Sequence, residues 1–176
     1  NFPDGKRRRK VFISMDFNPF VLIGHPLTQG ISPQIHSRLT ALAGRHDRYS
    51  LREIRPEDFD AAVNGLRSLD GFNVTIPYKV RILPFLDRID APARRYGAVN
   101  TVRVENGQTV GYNTDAVGFR RALRDAGIPL AGRVLLCGPG GTAHIMAREA
   151  PAAGSPLAVG GPPLRQATRV AAALTA

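Results

Sequence analysis

The chain has 176 residues, 43% of them hydrophobic, and a formal net charge of +10, which is enough apolar material for one good-sized domain or two small ones and excludes a fibrous chain. Five of the positive charges sit in one run, Lys6, Arg7, Arg8, Arg9 and Lys10, and the other arginines are scattered among acids, a pattern that weighs against a nucleic-acid partner and suits attraction of small anions such as carboxylates and phosphates. One cysteine, Cys137, rules out an internal disulfide and points to a reducing cytoplasm, and the apolar stretches are far too short for a membrane span or a signal peptide.

Residues 1–14 read as a disordered basic tail, an extension ahead of Met15. From there, short β-branched runs alternate with helical patterns, which predicts an α/β fold with a mostly parallel open sheet. Phe20 to Gly24 is the first strand, and Ser32-Pro33 gives an N-cap followed by proline, opening a helix to about Ala43. Arg48 to Ile54 is a second strand. Pro56 starts a helix with Phe59, Ala62, Val63 and Leu66 at helical spacing, Gly71 to Thr75 is a third strand, and a short helix begins near Lys79.

Further on, Ala98 to Val104 and Thr109 to Tyr112 flank Asn106-Gly107 and predict a hairpin at the sheet edge. From Ala116, the spacing of Phe119, Leu123 and Ala126 predicts a linking helix that stops at Gly127. Arg133 to Cys137 then reads as a buried strand running into Gly138-Pro139-Gly140-Gly141-Thr142-Ala143, with a helix from there to Ala150. These elements divide the chain into an α/β domain over residues 15–112 and, over residues 113–176, the linking helix with an incomplete Rossmann-like segment.

Three groups carry chemistry. Beyond the tail the chain has eighteen arginines and a single lysine, Lys79. An ammonium is a compact proton donor where guanidinium stays protonated, so Lys79 is a catalytic candidate; a chance surface lysine is the alternative. The glycine segment fits a dinucleotide fingerprint at Gly138, Gly140 and Ala143, where backbone must approach a pyrophosphate at a helix N-terminus, although an ordinary tight turn would look alike. No acid follows Glu149 to hold the ribose of NAD, while Arg165 and Arg169 could meet a 2′-phosphate or simply be solvated. Asp115 ends Asn113-Thr114-Asp115 at the head of the linking helix and could be a ligand group or an N-cap; Asn100 could likewise be a turn amide. His25, His36, His46 and His144 lack metal-ligand spacing.

Taken together, Gly24-His25-Pro26 with Ser32-Pro33-Gln34-Ile35-His36, Asn73-Val74-Thr75-Ile76-Pro77-Tyr78-Lys79, Ala98-Val99-Asn100-Thr101, Asn113-Thr114-Asp115 and the glycine turn resemble the shikimate dehydrogenase family in order and spacing. The resemblance implies NADPH-dependent, reversible reduction of 3-dehydroshikimate to shikimate on the route to chorismate and aromatic amino acids. By position it implies Lys79 and Asp115 as the catalytic pair, and Gly30, Ser32, Thr75 and Asn100 with that pair around the substrate. Gly138, Pro139, Gly140, Gly141 and Thr142, with Arg165, would then hold NADP.

Three departures from the family pattern stand out. Gly30 replaces a common serine, which removes a hydroxyl contact worth about 1.5 to 3 kcal/mol to a charged group. The turn that reads the NADP phosphate falls at Gly160-Gly161-Pro162, with Arg165 in register with a second basic residue. Finally, the chain ends 38 residues past Gly138, room for about one βαβ unit, so the C-terminal helix that supplies a glutamine to the substrate in the family is not expected here. Three readings beside an active dehydrogenase stay open: a shikimate-binding fragment without catalysis, a quinate or aminoshikimate relative, and a homodimer that restores what one chain lacks.

Overall fold

A computed structural model describes residues 20–27, 30–137, 142–152 and 154–160. The basic tail lies outside them, as do Gly138, Pro139, Gly140, Gly141 and Arg165.

The order of elements is β1 (Phe20–Gly24), α1 (Ser32–Leu42), β2 (Tyr49–Glu53), α2 (Phe59–Gly65), β3 (Gly71–Val74), α3 (Tyr78–Arg81), β4 (Arg88–Ile89), α4 (Ala91–Tyr96), β5 (Thr101–Glu105), β6 (Gln108–Tyr112), α5 (Asp115–Asp125), β7 (Val134–Cys137), α6 (Ala143–Ala152) and β8 (Leu157–Gly160). The first six strands form one sheet in the order β2-β1-β3-β5-β6-β4, while β7 and β8 form a separate parallel pair. Three of the five ladders in the large sheet are parallel, and the antiparallel ones flank β5. Each parallel step from β1 to β2 and from β7 to β8 carries a helix in its crossover, as parallel pairing requires.

Register decides what each face of the large sheet does. Val21 and Ile23 on β1 stand level with Phe72 and Val74 on β3, and all four are buried. This face closes over Phe59, Leu66, Tyr78 and Ile82, none of which reaches solvent. Phe59 stacks on Tyr78 at 4.2 Å between centroids and meets Phe85 edge-on at 5.7 Å, which are favourable aromatic geometries. The opposite face carries Tyr49, Asn73 and Thr101, and His36 of α1 stacks on Tyr49 there at 3.8 Å. No residue of α1 is buried.

Several boundaries differ from expectation for physical reasons. Ser32 is already helical and Ile31 takes the capping position without a side-chain bond, so the helix starts on Pro33's fixed φ rather than on a serine cap. Residues 56–58 form a turn, and the next helix begins at Phe59, where burial begins. The hairpin turns through Asn106 and Gly107, both at positive φ, as the pair predicts. It is not the sheet edge, however, because β4 adds beyond it. This two-residue strand and α4, capped by the Asp90 carboxylate accepting from the Ala93 amide, have patterns too short to read. The expected buried strand is only half-buried: Leu135 is 69% exposed, β8 being the one strand beside β7 among the described residues.

The second unit is held to the first through a buried carboxylate. Glu149 on α6, with its side chain 6% exposed, accepts hydrogen bonds from the Tyr96 hydroxyl of α4 and from Arg120 of α5 at 3.0 Å. Tyr96, Ala116 and Ile145 pack together beside it. Burial, and then the bond to Glu149, push the Tyr96 phenol up. No helix among the described residues is long and apolar enough to cross a membrane.

Candidate active site

Lys79 sits in the single turn of α3, and its neighbour Tyr78 is wholly buried with its hydroxyl donating to the Ile54 carbonyl. The anchored tyrosine fixes the direction in which the next side chain leaves the helix. The Lys79 carbonyl accepts from the Val99 amide at 2.7 Å, which brings the strand entering Asn100 alongside. Asp115 is the first residue of α5, where an acid is favoured by the helix dipole. It does not cap the helix: Thr114 holds that position, and the Asp115 amide is satisfied by Asn113 Oδ1 at 3.0 Å.

Sequence positions 79 and 115 meet here. Lys79 Nζ donates to Asp115 Oδ2 at 2.6 Å, with the two side chains 13% and 24% exposed. The other carboxylate oxygen, Oδ1, accepts from Asn100 Nδ2 at 2.7 Å. Asn100 is therefore more than a turn amide. Its Oδ1 accepts from the Thr114 amide at 3.0 Å, and its Nδ2 also reaches Thr114 Oγ1 at 2.9 Å. Charge-assisted bonds of this length, partly shielded from water, hold an acid and an ammonium in one geometry. The product is a proton donor beside a fixed acceptor, with little freedom in either.

Thr75 follows β3 directly, and its amide donates to the Ile23 carbonyl at 2.9 Å. Its methyl lies against Gly24: a Cβ built there would stand 2.5 Å from Thr75 Cγ2 and 3.0 Å from the Ile76 carbonyl oxygen. Gly30 is exposed, and a Cβ added to it would meet the Leu51 methyls at 3.7 and 3.9 Å, so the missing serine would fit. Ser32 opens α1, half-buried. No hydrogen bond among the described residues joins Gly30, Ser32 or the Thr75 hydroxyl to the lysine–aspartate pair.

Tyr49, Asn73, Thr101, Asn113 and Thr114 escaped individual assignment. Asn113, 6% exposed, donates to the Ala98 carbonyl at 2.8 Å and so ties the two asparagine motifs together. Asn73 and Thr101 stood inside the quoted motifs; only Tyr49 lacked any sequence signal. A cavity of about 530 Å³ opens on their face of the sheet, with His36, Tyr49, Asn73, Thr101 and Thr114 in its lining, a size suited to a small ligand.

The segment from β7 to β8 is a parallel βαβ unit, and in sequence the glycine-rich residues, outside the described ones, come between β7 and α6. Thr142 is exposed beside the first turn of α6, its carbonyl accepting from the amides of Ile145 and Met146. This is the arrangement in which such units receive a pyrophosphate.

Comparison with known proteins supports the same reading. The family profile described as shikimate dehydrogenase substrate binding domain matches residues 22–102. A shikimate dehydrogenase (NADP(+)) of Rubrobacter xylanophilus is 47% identical over 130 residues, which is 72% of this chain and 46% of that protein. Among solved structures, the shikimate dehydrogenase of Aquifex aeolicus superposes with a TM-score of 0.82 at 31% identity, over 89% of this chain and 60% of that one. The Thermus thermophilus enzyme in complex with NADP(H) and shikimate gives 0.79 at 32% identity, over 89% and 60%. The chain thus spans about half the length of the curated relatives it matches. In sequence through its large-sheet domain and in fold through most of its described length, it belongs to the shikimate dehydrogenase family.

Proposed function

We propose that the chain acts on shikimate and 3-dehydroshikimate as an NADP-dependent dehydrogenase, with Lys79 and Asp115 as its catalytic pair. The observation that carries this is the 2.6 Å contact between Lys79 Nζ and Asp115 Oδ2, braced by Asn100. NADPH, when bound, supplies the hydride. As the ketone carbon is reduced, Lys79 would donate a proton to its oxygen, which would become the product hydroxyl. Asp115 holds the ammonium in place and accepts from a neighbouring substrate hydroxyl. In the reverse direction the neutral amine takes the hydroxyl proton. General acid assistance of this kind contributes about 10²- to 10⁴-fold.

Residues 15–112 would form the substrate domain, with Ser32, Thr75 and Asn100 directed to the carboxylate and hydroxyls and Gly30 leaving that side open. Residues 113–176 would bring the cofactor through Gly138, Pro139, Gly140, Gly141, Thr142 and Arg165. The parallel βαβ unit supports the cofactor half of this assignment. Exposed Ile35, Leu39 and Leu42 on α1 support a homodimer, which light scattering would report as twice the 19.0 kDa chain mass. The single free thiol suits the reducing cytoplasm.

Lys79→Met should lower NADPH-dependent reduction of 3-dehydroshikimate by at least 10²-fold with an unchanged circular dichroism spectrum; turnover near wild type refutes the pair. The open space at Gly30 favours a second reading, a quinate-type substrate, because quinate carries an extra hydroxyl on the carbon that bears the carboxylate. Rates on shikimate and quinate with both nicotinamide cofactors separate the two.

A further inference from the structure

Asn100 is reached from the β2 side by a line of hydrogen bonds that the catalytic reading does not use. The Tyr49 hydroxyl donates to Asn73 Oδ1 at 2.8 Å. Asn73 Nδ2 donates to the Asn100 carbonyl at 3.1 Å and to Thr101 Oγ1 at 3.0 Å. The Thr101 hydroxyl in turn donates to Asn100 Oδ1 at 3.0 Å, and Asn100 Nδ2 donates to Asp115.

The direction of every bond in this line is fixed by its ends. A backbone carbonyl only accepts, so Asn73 must turn Nδ2 toward Asn100 and Oδ1 toward Tyr49, whose phenol must then donate. Thr101 receives one of these protons and has its own left for Asn100. A carboxylate likewise only accepts, which fixes the amide of Asn100 at the far end. All donors and acceptors are matched, and bonds aligned in this way reinforce one another. Tyr49 is well placed to head the line. Its ring lies flat on His36, 6° from parallel, and burial raises its phenol to about 12, so the donor proton is kept throughout the working pH range.

We propose that Tyr49 is a positioning residue for the active site: through Asn73 and Thr101 it locks the amide of Asn100, and hence the Asp115 carboxylate, in the orientation that meets the substrate. This rests on the shikimate-binding reading above. Without the phenol hydroxyl, Asn73 Oδ1 loses its donor and the amide is held through Nδ2 alone, so its grip on the Asn100 carbonyl and on Thr101 loosens.

Tyr49→Phe keeps the ring and its stacking and removes only the hydroxyl. Shikimate titrated calorimetrically against wild type, Y49F, T101V and the double variant should bind about fivefold more weakly to each single variant, the equivalent of one neutral hydrogen bond. The double variant should be no weaker than T101V alone, because both changes cut one line. Equal affinity of Y49F and wild type, or strictly additive losses, overturns the proposal. The Asn100 side-chain amide protons give a readout that needs no ligand: their exchange, followed by NMR, should speed up at least fivefold in Y49F, and unchanged exchange also overturns it. Wild type that fails to bind shikimate would refute the substrate reading instead, and the amide exchange would still decide the role of Tyr49.

Discussion

The six-stranded sheet and the β7–α6–β8 unit are both built from parallel crossovers, yet they are stabilised in different ways. The large sheet buries one continuous cluster from Val21 through Val102 on a single face. Among the described residues the small unit has two strands, a largely exposed Leu135, and a helix that buries Ala143, Ala147 and Ala150 on one face and Ile145 and Glu149 on another. It is joined to the first by the Glu149 carboxylate and the Tyr96–Ala116–Ile145 contact. Where apolar area is small, a polar contact with fixed partners determines position.

The largest effect should come from the core of the large sheet. Phe59→Ala leaves the rings of Tyr78 and Phe85 without their partner and should cost about 3 to 5 kcal/mol in urea denaturation; a loss below 1 kcal/mol would mean that this cluster does not hold the sheet. Glu149→Ala should cost less, about 1 to 3 kcal/mol, because it strands the buried Tyr96 hydroxyl while Arg120 stays half in water. Its signature is regional: amide exchange should quicken in α6 and β8 and remain unchanged in β1, β3 and β5. Uniform acceleration would show that the two units unfold as one.

Gly30→Ser tests the substrate side of the comparison. The new Cβ has ordinary contacts with Leu51, so the serine should fit without cost to the fold and tighten shikimate binding by about tenfold or more through an added bond to the carboxylate. Unchanged affinity would place the carboxylate elsewhere.

The smallest effects are electrostatic. Arg67, and after it the amide and hydroxyl of Thr109, hold the Asp87 carboxyl far below the usual carboxylate range. Its folded-state pKa is depressed, so its stabilisation is complete above about pH 4 and fades as acid protonates it. Asp87→Asn should flatten the acid limb of the stability profile. Burial also lowers His36 below its ordinary 6.5. The unfolded chain then takes up the proton more readily, and stability should decline as pH falls below 6.5. His36→Phe should remove that slope in thermal melts between pH 5 and 7.

Much of this was legible in the sequence because the informative residues are close together in the chain. Asn106-Gly107 specifies its turn by backbone conformation alone. Lys79 stood out by composition, and Asp115 by its place between a strand and a helix. Tyr49 could not be read in the same way, since its role depends on strands from three separate stretches coming into register. Nor could the latch: Glu149 looks like any helix-surface acid until α4, whose six residues are too few for a periodic pattern, is known to place Tyr96 beside it. The edge strand β4 escaped notice because two residues carry no alternation. Leu135 misled in the opposite direction, its apolar run suggesting burial that the two described strands of its sheet do not provide.

Gly24 carries a consequence of its own. Its hydrogen is the only substituent that leaves Thr75 where it is, so even the mildest exchange there, to alanine, would push the threonine methyl and turn its hydroxyl aside. With Thr75 in the substrate-holding role proposed above, such a protein would keep every group that does chemistry and still lose its grip on the substrate, and inspection of the reacting residues alone would never reveal the lesion.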